Sequence, residues 1–509
     1  MQYRNLILIF FILAKFVIQY FSIDSGYELH RDEYLHLDLG NHLAFGYISV
    51  PPMTGFFSLI IKLLGNSIFW VKFFPALFGA MIIWIVWKTI EELNGGLFAL
   101  ILGSTGVLFS ILLRINTLYQ PNSLDFMMWT LFLYVFVKYL KTEENKWLYI
   151  CSIIFATGFL NKYNIGFLMM ALFLSLVVTR KRTIFINKHL FYSAAIALII
   201  ILPNIIWQFK NDWPVIHHLK ELSETQLVNV KRSDFLAEQL FFFPGSILVI
   251  ISALISFFIY DAFKNYRVLF FTFLFTLTIF TCLKAKNYYS IGLYPVYLAF
   301  GAVYIEKIMS SGWIKYLRIL FLSAPLITFI FMFPLLLPVL SPQEILERKE
   351  IFDMYDVTRW EDGKIHQIPQ DYADMLGWKE LAQIVDSAML LIDEKEKTLI
   401  HCDNYGQTGA INFYSKELVT RSLSMNADYI NWYPLETMDI KNVILVKEAS
   451  DTDKNREKEI PLFDKVFFIG RIESKFAREI GTSVYLLEGA KISINEILKN
   501  EIKERKNKR

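Results

Sequence analysis

Apolar runs dominate the first two thirds of this chain, one after another, most of them close to the ~20 residues that a helix needs to cross a hydrocarbon layer of about 30 Å. In lipid every backbone N–H and C=O has to be satisfied within the protein, so these runs must become helices. They fall near residues 5–22, 67–88, 97–113, 122–140, 146–161, 163–179, 189–207, 236–260, 267–283, 290–306 and 317–340. The pattern predicts a mainly α, polytopic membrane helix bundle of about 11 transmembrane helices. The composition agrees: 55% of the 509 residues are hydrophobic and 16% aromatic, with a mean hydropathy of +0.40. The first run has no small-residue cleavage site before Asp24 and reads as a retained helix rather than a removed signal peptide.

Charge sets the orientation. Lys138, Lys141 and Lys146, then Arg180, Lys181, Arg182 and Lys188, then Lys264 and Arg267, then Lys307, Lys315 and Arg318 all fall on the side of Met1, which the positive-inside rule makes cytoplasmic. Alternation of the spans then sends residues 23–66, 114–121, 161–164, 208–235 and 284–290 to the outer face. The net charge of +3 gives no reason to expect a nucleic-acid partner. Three scattered cysteines, Cys151, Cys282 and Cys402, offer neither a disulfide framework nor a metal spacing and read as packing residues.

In the first outer segment Leu35, Leu39 and Leu43 recur at helical spacing, and a second apolar piece runs from Pro51 to Gly65. Both read as helices lying along the membrane interface. After Pro338 and Pro342 hydropathy falls and charge rises. This predicts a membrane domain over residues 1–340 and a soluble α/β domain over 341–509. The latter has a helix near Lys379–Leu391 and strands near Thr398–Cys402, Val443–Val446, Val466–Ile469 and Val484–Leu487.

Several outer-face residues have chemical potential. Asp32 and Glu33 follow the first span, where a carboxylate can act as a general base toward a hydroxyl; Asp32 also suits a helix N-cap. Asp125, in Gln120-Pro121-Asn122-Ser123-Leu124-Asp125, falls in the first turn of a membrane helix and should face the bundle interior, with interaction at the helix N-terminus as the plain alternative. Lys162 can hold an anion or snorkel to the interface. Lys284 and Lys286, with Tyr288 and Tyr289, place cations and hydroxyls on the outer leaflet, which suits a phosphate as well as simple interfacial anchoring. His217-His218, and His36 with His42, lack the helical spacing of a paired metal site. The basic tail Lys499–Arg509 suits either a solvated helix end or contact with anionic lipid. Neither a Gly-rich phosphate loop nor a Gly-x-Ser-x-Gly elbow occurs.

Taken in order, Arg31-Asp32-Glu33-Tyr34, His42-Leu43-Ala44-Phe45-Gly46-Tyr47 with Pro51-Pro52, Gln120-Pro121 with Asp125, Leu160-Asn161-Lys162-Tyr163, Pro203 with Trp207, Trp213-Pro214, and Lys286-Asn287-Tyr288-Tyr289 with Tyr294-Pro295 resemble the GT-C glycosyltransferases. The likeness is to family 39, the protein mannosyltransferase-like group that includes lipid A aminoarabinose transferases. The segments Asn404–Ala410, Gly470-Arg471-Ile472 and Ala477-Arg478-Glu479 are similar to the outer domain of bacterial members.

The resemblance implies a GT-C fold and transfer of a sugar from a polyprenyl-phosphate carrier to a lipid, glycan or protein acceptor, on the periplasmic face of the bacterial inner membrane. Carried onto this chain, it implies Asp32 as general base, Glu33 as its support and Asp125 in the same cavity, with Lys162, Lys286, Tyr288 and Tyr289 binding the donor phosphate. It assigns no cofactor and leaves room for a divalent metal. The family often has an acidic residue or His before the Pro-Pro pair; here Ser49 and Val50 stand there. A transporter or flippase of a lipid-linked glycan is the competing reading, and inverted repeats, which would favour it, are not visible.

Overall fold

The computed structural model describes residues 2–23, 26–225 and 231–507. The expected outer segment 208–235 and the basic tail are therefore described only in part. Among these residues eleven apolar helices form the bundle: α1 (Gln2–Phe21), then, beyond two shorter helices, α4 (Ile68–Glu92), α5 (Leu97–Leu108), α6 (Pro121–Thr142), α7 (Lys146–Asn161), α8 (Ile165–Val178), α9 (Lys188–Lys210), α10 (Ile247–Ile259), α11 (Arg267–Cys282), α12 (Tyr294–Ile308) and α13 (Arg318–Leu336). Seven helical stretches, the longest parts of this set, have the length and apolar composition to cross a membrane on their own. The others run 12 to 16 residues, so the eleven expected spans appear as helices of unequal length.

The run expected as one helix over 236–260 is broken. A short helix ends at Glu238, Pro244 opens a single 3₁₀ turn, and α10 begins only at Ile247. Gly245 explains the break, because a Cβ there would lie 2.3 Å from Cα of Pro325, so the chain crosses α13 where only glycine fits. At the end of the first piece, buried Gln239 accepts from Ser290 Oγ (2.5 Å) and Tyr294 Oη (2.8 Å) and donates to the Phe235 and Asn287 carbonyls. A continuous membrane helix would lose this polar node.

The two shorter helices between α1 and α4 are α2 (Arg31–Leu39) and α3 (Met53–Leu63). In α3 the apolar face is open, with Phe56 and Leu63 exposed and Ser58 and Ile61 buried, as an interfacial helix requires. The other helix departs from expectation. From Glu33 to Leu39 every residue of α2 is buried, and it ends at Gly40, so Leu43 lies outside it and is exposed. Tyr34 and Leu37 join the core of the bundle, while Leu35 packs with Leu399 and Leu423 of the C-terminal region. Helix α2 is thus clamped between membrane helices and the C-terminal layer instead of resting on lipid.

That layer is a mixed five-stranded sheet in the order β2-β1-β3-β5-β4. Strands β1 (Thr398–Cys402), β3 (Asn442–Lys447), β4 (Phe463–Arg471) and β5 (Ser483–Ala490) match the expected strands; β2 is only Leu423–Ser424. Strand β1 runs parallel to β2 and β3, and β5 antiparallel to β3 and β4. Helices α14 (Trp378–Leu390) and α15 (Tyr405–Tyr414) cover the sheet, and α15 lies against α2. The basic tail forms α16 (Ile494–Asn507), with Lys499 paired to Glu436 and Arg505 to Glu501. Of the cysteines, Cys151 and Cys402 are buried, but Cys282 is exposed and so is not a packing residue.

Candidate active site

His30, not Asp32, caps α2. Its imidazole accepts from the Asp32 N–H (3.2 Å), and the Glu33 carboxylate accepts from the His30 N–H (2.7 Å), closing a capping box. The cap frees the Asp32 side chain, which keeps 36% of its surface open. Its two oxygens accept from Tyr405 Oη (2.7 Å) and Gln120 Nε2 (3.1 Å). Desolvation opposes its ionisation. Electrostatic interaction with His30, Arg31 and His36 and the Tyr405 bond outweigh that and hold its carboxyl below the usual range.

Glu33 points the other way and has no exposed surface. Both of its oxygens lie 2.7 Å from Lys72 Nζ, and it also accepts from the Tyr119 N–H (2.7 Å). Lys72 in turn donates to the Thr117 carbonyl (2.9 Å). Glu33 therefore fastens α2 to α4 and to the loop before α6, the loop that carries Gln120.

From Asp32 a polar chain runs across the end of the bundle. Asn122 Nδ2 donates to Gln120 Oε1 (3.0 Å), and Lys162 Nζ donates to Asn122 Oδ1 (2.7 Å). Lys162 also stands over the rings of Tyr289 (4.4 Å) and Tyr288 (5.1 Å), which meet edge to face. Lys286 Nζ lies 3.9 Å from Glu361 Oε1 of the C-terminal region. Asp32, Lys162, Tyr288 and Tyr289 thus border one region, although they come from three separate segments of the sequence, while the Lys286 side chain turns to Glu361.

Pro121 opens α6, so Asp125 sits in its second turn, not the first, and the proposed interaction with the helix N-terminus does not arise. With no exposed surface, its oxygens accept from Trp129 Nε1 (3.0 Å) and Asn164 Nδ2 (3.1 Å). Asn164 Nδ2 also reaches the Tyr289 carbonyl (2.9 Å). In this arrangement Asp125 forms part of the wall behind Lys162 and Tyr289.

The histidines separate: His36 Nδ1 faces the Tyr119 carbonyl (3.3 Å), while His42 stacks on Trp432 at 4.0 Å. Among the described residues, no three His, Cys, Asp or Glu side chains form a metal-binding group. Before the Pro-Pro pair, Ser49 Oγ (2.7 Å) and the Ile48 N–H (2.6 Å) donate to Asp428, so this stretch is a latch to the C-terminal region. Sequence reasoning missed Lys72, Gln120, Asn122 and Tyr405 as site residues. A lysine inside an apolar span was the readable signal for Lys72, and the Asn404–Ala410 segment for Tyr405.

The bundle with its capping sheet layer defines a class, the GT-C fold. Over residues 49–207 the sequence matches the family described as dolichyl-phosphate-mannose-protein mannosyltransferase. Two crystal structures of ArnT from Cupriavidus metallidurans, one bound to undecaprenyl phosphate and one in the apo state, are each similar with a TM-score of 0.62 at 12% identity. Each match covers 94% of this chain and 97% of the other. The Archaeoglobus fulgidus oligosaccharyltransferase tethered with an acceptor peptide aligns more loosely, at a TM-score of 0.47 and 11% identity over 86% of this chain and 68% of its own. No curated protein sequence matches.

Proposed function

We propose that this protein is a membrane glycosyltransferase that moves a sugar from a polyprenyl-phosphate carrier to a lipid, glycan or protein acceptor. The observation that carries the reading is the polar chain from the open carboxylate of Asp32 through Gln120 and Asn122 to Lys162 and the two tyrosines. On this reading the chain links a base to a cation for a departing phosphate. That ArnT has been crystallised with undecaprenyl phosphate supports a polyprenyl phosphate as the carrier.

In the proposed step the acceptor hydroxyl oxygen bonds to the anomeric carbon as Asp32 takes its proton. The bond from that carbon to the phosphate oxygen breaks, its electron pair stays on the polyprenyl phosphate, and the sugar inverts. Lys162, Lys286 and the Tyr288 and Tyr289 hydroxyls meet the phosphate charge. Holding donor and acceptor in register supplies much of the gain, since a phosphate leaves without needing a proton. Asp125 and Glu33 act as positioning residues behind this surface. The distribution of Lys and Arg supports a reading in which the site and the C-terminal domain, residues 341–509, lie on the periplasmic side of a bacterial inner membrane.

The test is transfer of radiolabelled sugar from a polyprenyl-phosphate donor by the purified protein in vesicles. Asp32→Asn is expected to slow transfer by ~10²- to 10⁴-fold, the range for a lost general base. Lys286→Ala is expected to weaken donor use roughly ten- to hundredfold, the worth of one charge-assisted contact. Wild-type transfer by both variants defeats the reading. Movement of intact donor across the vesicle wall without sugar transfer would favour a flippase.

A further inference from the structure

The C-terminal domain reaches the carboxylate of Asp32 through the side chain of Tyr405. Tyr405, the first residue of α15, donates to Asp32 Oδ1 at 2.7 Å, across 373 positions of sequence. Its ring also lies under the guanidinium of Arg31, with Cζ 4.6 Å from the centroid. One tyrosine thus touches both the carboxylate and the adjacent cation at the start of α2.

The placement of Tyr405 is built into the fold. Asn404 caps α15, its side chain accepting from the Gln407 N–H, with Gln407 closing the box. Glu479 fixes that cap, accepting from Asn404 Nδ2 (3.1 Å) and Gln407 Nε2 (2.9 Å). A Cβ on Gly409 would lie 2.6 Å from Cβ and 2.9 Å from the carbonyl carbon of Tyr34, so α15 meets α2 almost backbone to backbone. Beside it, Asp374 accepts from the backbone-anchored Arg478 (3.1 and 3.2 Å), stands 3.7 Å from His30 Nε2, and its carbonyl takes the Arg31 N–H. The cap, the glycine contact and these charges together fix the hydroxyl over one oxygen of Asp32.

We propose that Tyr405 is a positioning residue for Asp32: docking of the C-terminal domain aims the carboxylate and keeps it in its charged form. This rests on the transfer reading above. An acceptor hydroxyl has to approach a free lone pair of Asp32. With one oxygen held by Tyr405 and the other by Gln120, the carboxylate plane is fixed, and each oxygen keeps a lone pair for an acceptor. A hydroxyl donated to the ionised form favours that form, so losing it raises the pH at which the base becomes protonated. The charged and titratable groups around Asp32 are His30, Arg31 and His36 on its own segment, Tyr405 and Asp374 from the C-terminal domain, and Tyr288 from the loop before α12.

The experiment compares Tyr405→Phe with wild type in the vesicle assay, reading kcat, donor KM and the pH profile, with thermal unfolding in detergent as a check on folding. Phe keeps the ring beneath Arg31 and removes only the hydroxyl. The expected result is a kcat roughly ten- to hundredfold lower, an unchanged donor KM, and an acid limb of the rate profile moved to higher pH. In Asp32→Asn the added Tyr405→Phe should then cost nothing more. Wild-type kcat and pH profile in Tyr405→Phe, with Asp32→Asn inactive, overturn the positioning role and leave the transfer reading standing. A fall in kcat, donor affinity and unfolding temperature together, with the acid limb unmoved, also overturns it, as a structural effect. Full activity of Asp32→Asn removes the reading beneath it.

Discussion

Asp32 and Glu33 are neighbours on one helical turn with opposite environments. Asp32 keeps part of its side chain exposed and is held by two neutral donors, whereas Glu33 is sealed against Lys72 with no surface exposed. Removing one partner of a buried ion pair leaves the other charge unpaired, at a cost of about 3–5 kcal/mol. Glu33→Gln should therefore lower the unfolding temperature markedly. Glu33→Gln with Lys72→Met should recover part of that loss, since no lone charge remains, and thermal unfolding of the three forms in detergent checks both expectations. Asp32→Asn removes no buried pair and should leave stability near wild type. Because its electrostatic surroundings and the Tyr405 bond hold the Asp32 carboxyl below the usual range, it stays ionised as pH falls through that range, so transfer should persist into mild acid and fail only below it. A rate profile with its acid limb near or above pH 6 would contradict this.

At the scale of elements, α2 depends on two close approaches, to α3 through Gly40 and to α15 through Gly409. Gly409→Ala puts a methyl group 2.6 Å from Tyr34 Cβ, so α15 has to retreat and take Tyr405 with it. We expect transfer to fall at least as far as in Tyr405→Phe, and limited proteolysis to release the C-terminal domain faster; wild-type behaviour in both would contradict the packing. This element also marks what could be read in the sequence. Most membrane helices were legible because long apolar runs leave few alternatives, although the run over 236–260 hid its break, and four strands because alternation and β-branched residues announce them. Helix α2 was misjudged as interfacial because its second apolar face answers to Leu399 and Leu423, far along the chain. Its cap was missed because His is not among the residues that usually cap helices. The two-residue β2 is too short to show a period.

On the scale of the whole molecule, the five segments expected on one side are linked to one another: Asp32, Gln120, Lys162 with Tyr163, Gln208 and Tyr288 are joined by hydrogen bonds, through Asn122, or by ring contacts. Lys138 and Lys141 pair with Glu92 at loops of the other set. That grouping was legible from the alternation of spans, because basic loops cannot easily change sides. The contribution of the C-terminal domain was not, since Tyr405 and Asp32 meet only through the packing of two helices. Alkaline phosphatase fused after the last residue should be active if that domain is periplasmic, and inactive if it faces the cytosol. The most direct test of the whole account separates donor binding from chemistry, by measuring polyprenyl-phosphate-sugar affinity and single-turnover transfer for Asp32→Asn and Lys162→Ala. The account predicts that Asp32→Asn binds the donor like wild type and does not transfer, while Lys162→Ala loses affinity. Wild-type turnover by Asp32→Asn, or unchanged donor affinity in Lys162→Ala, would contradict it.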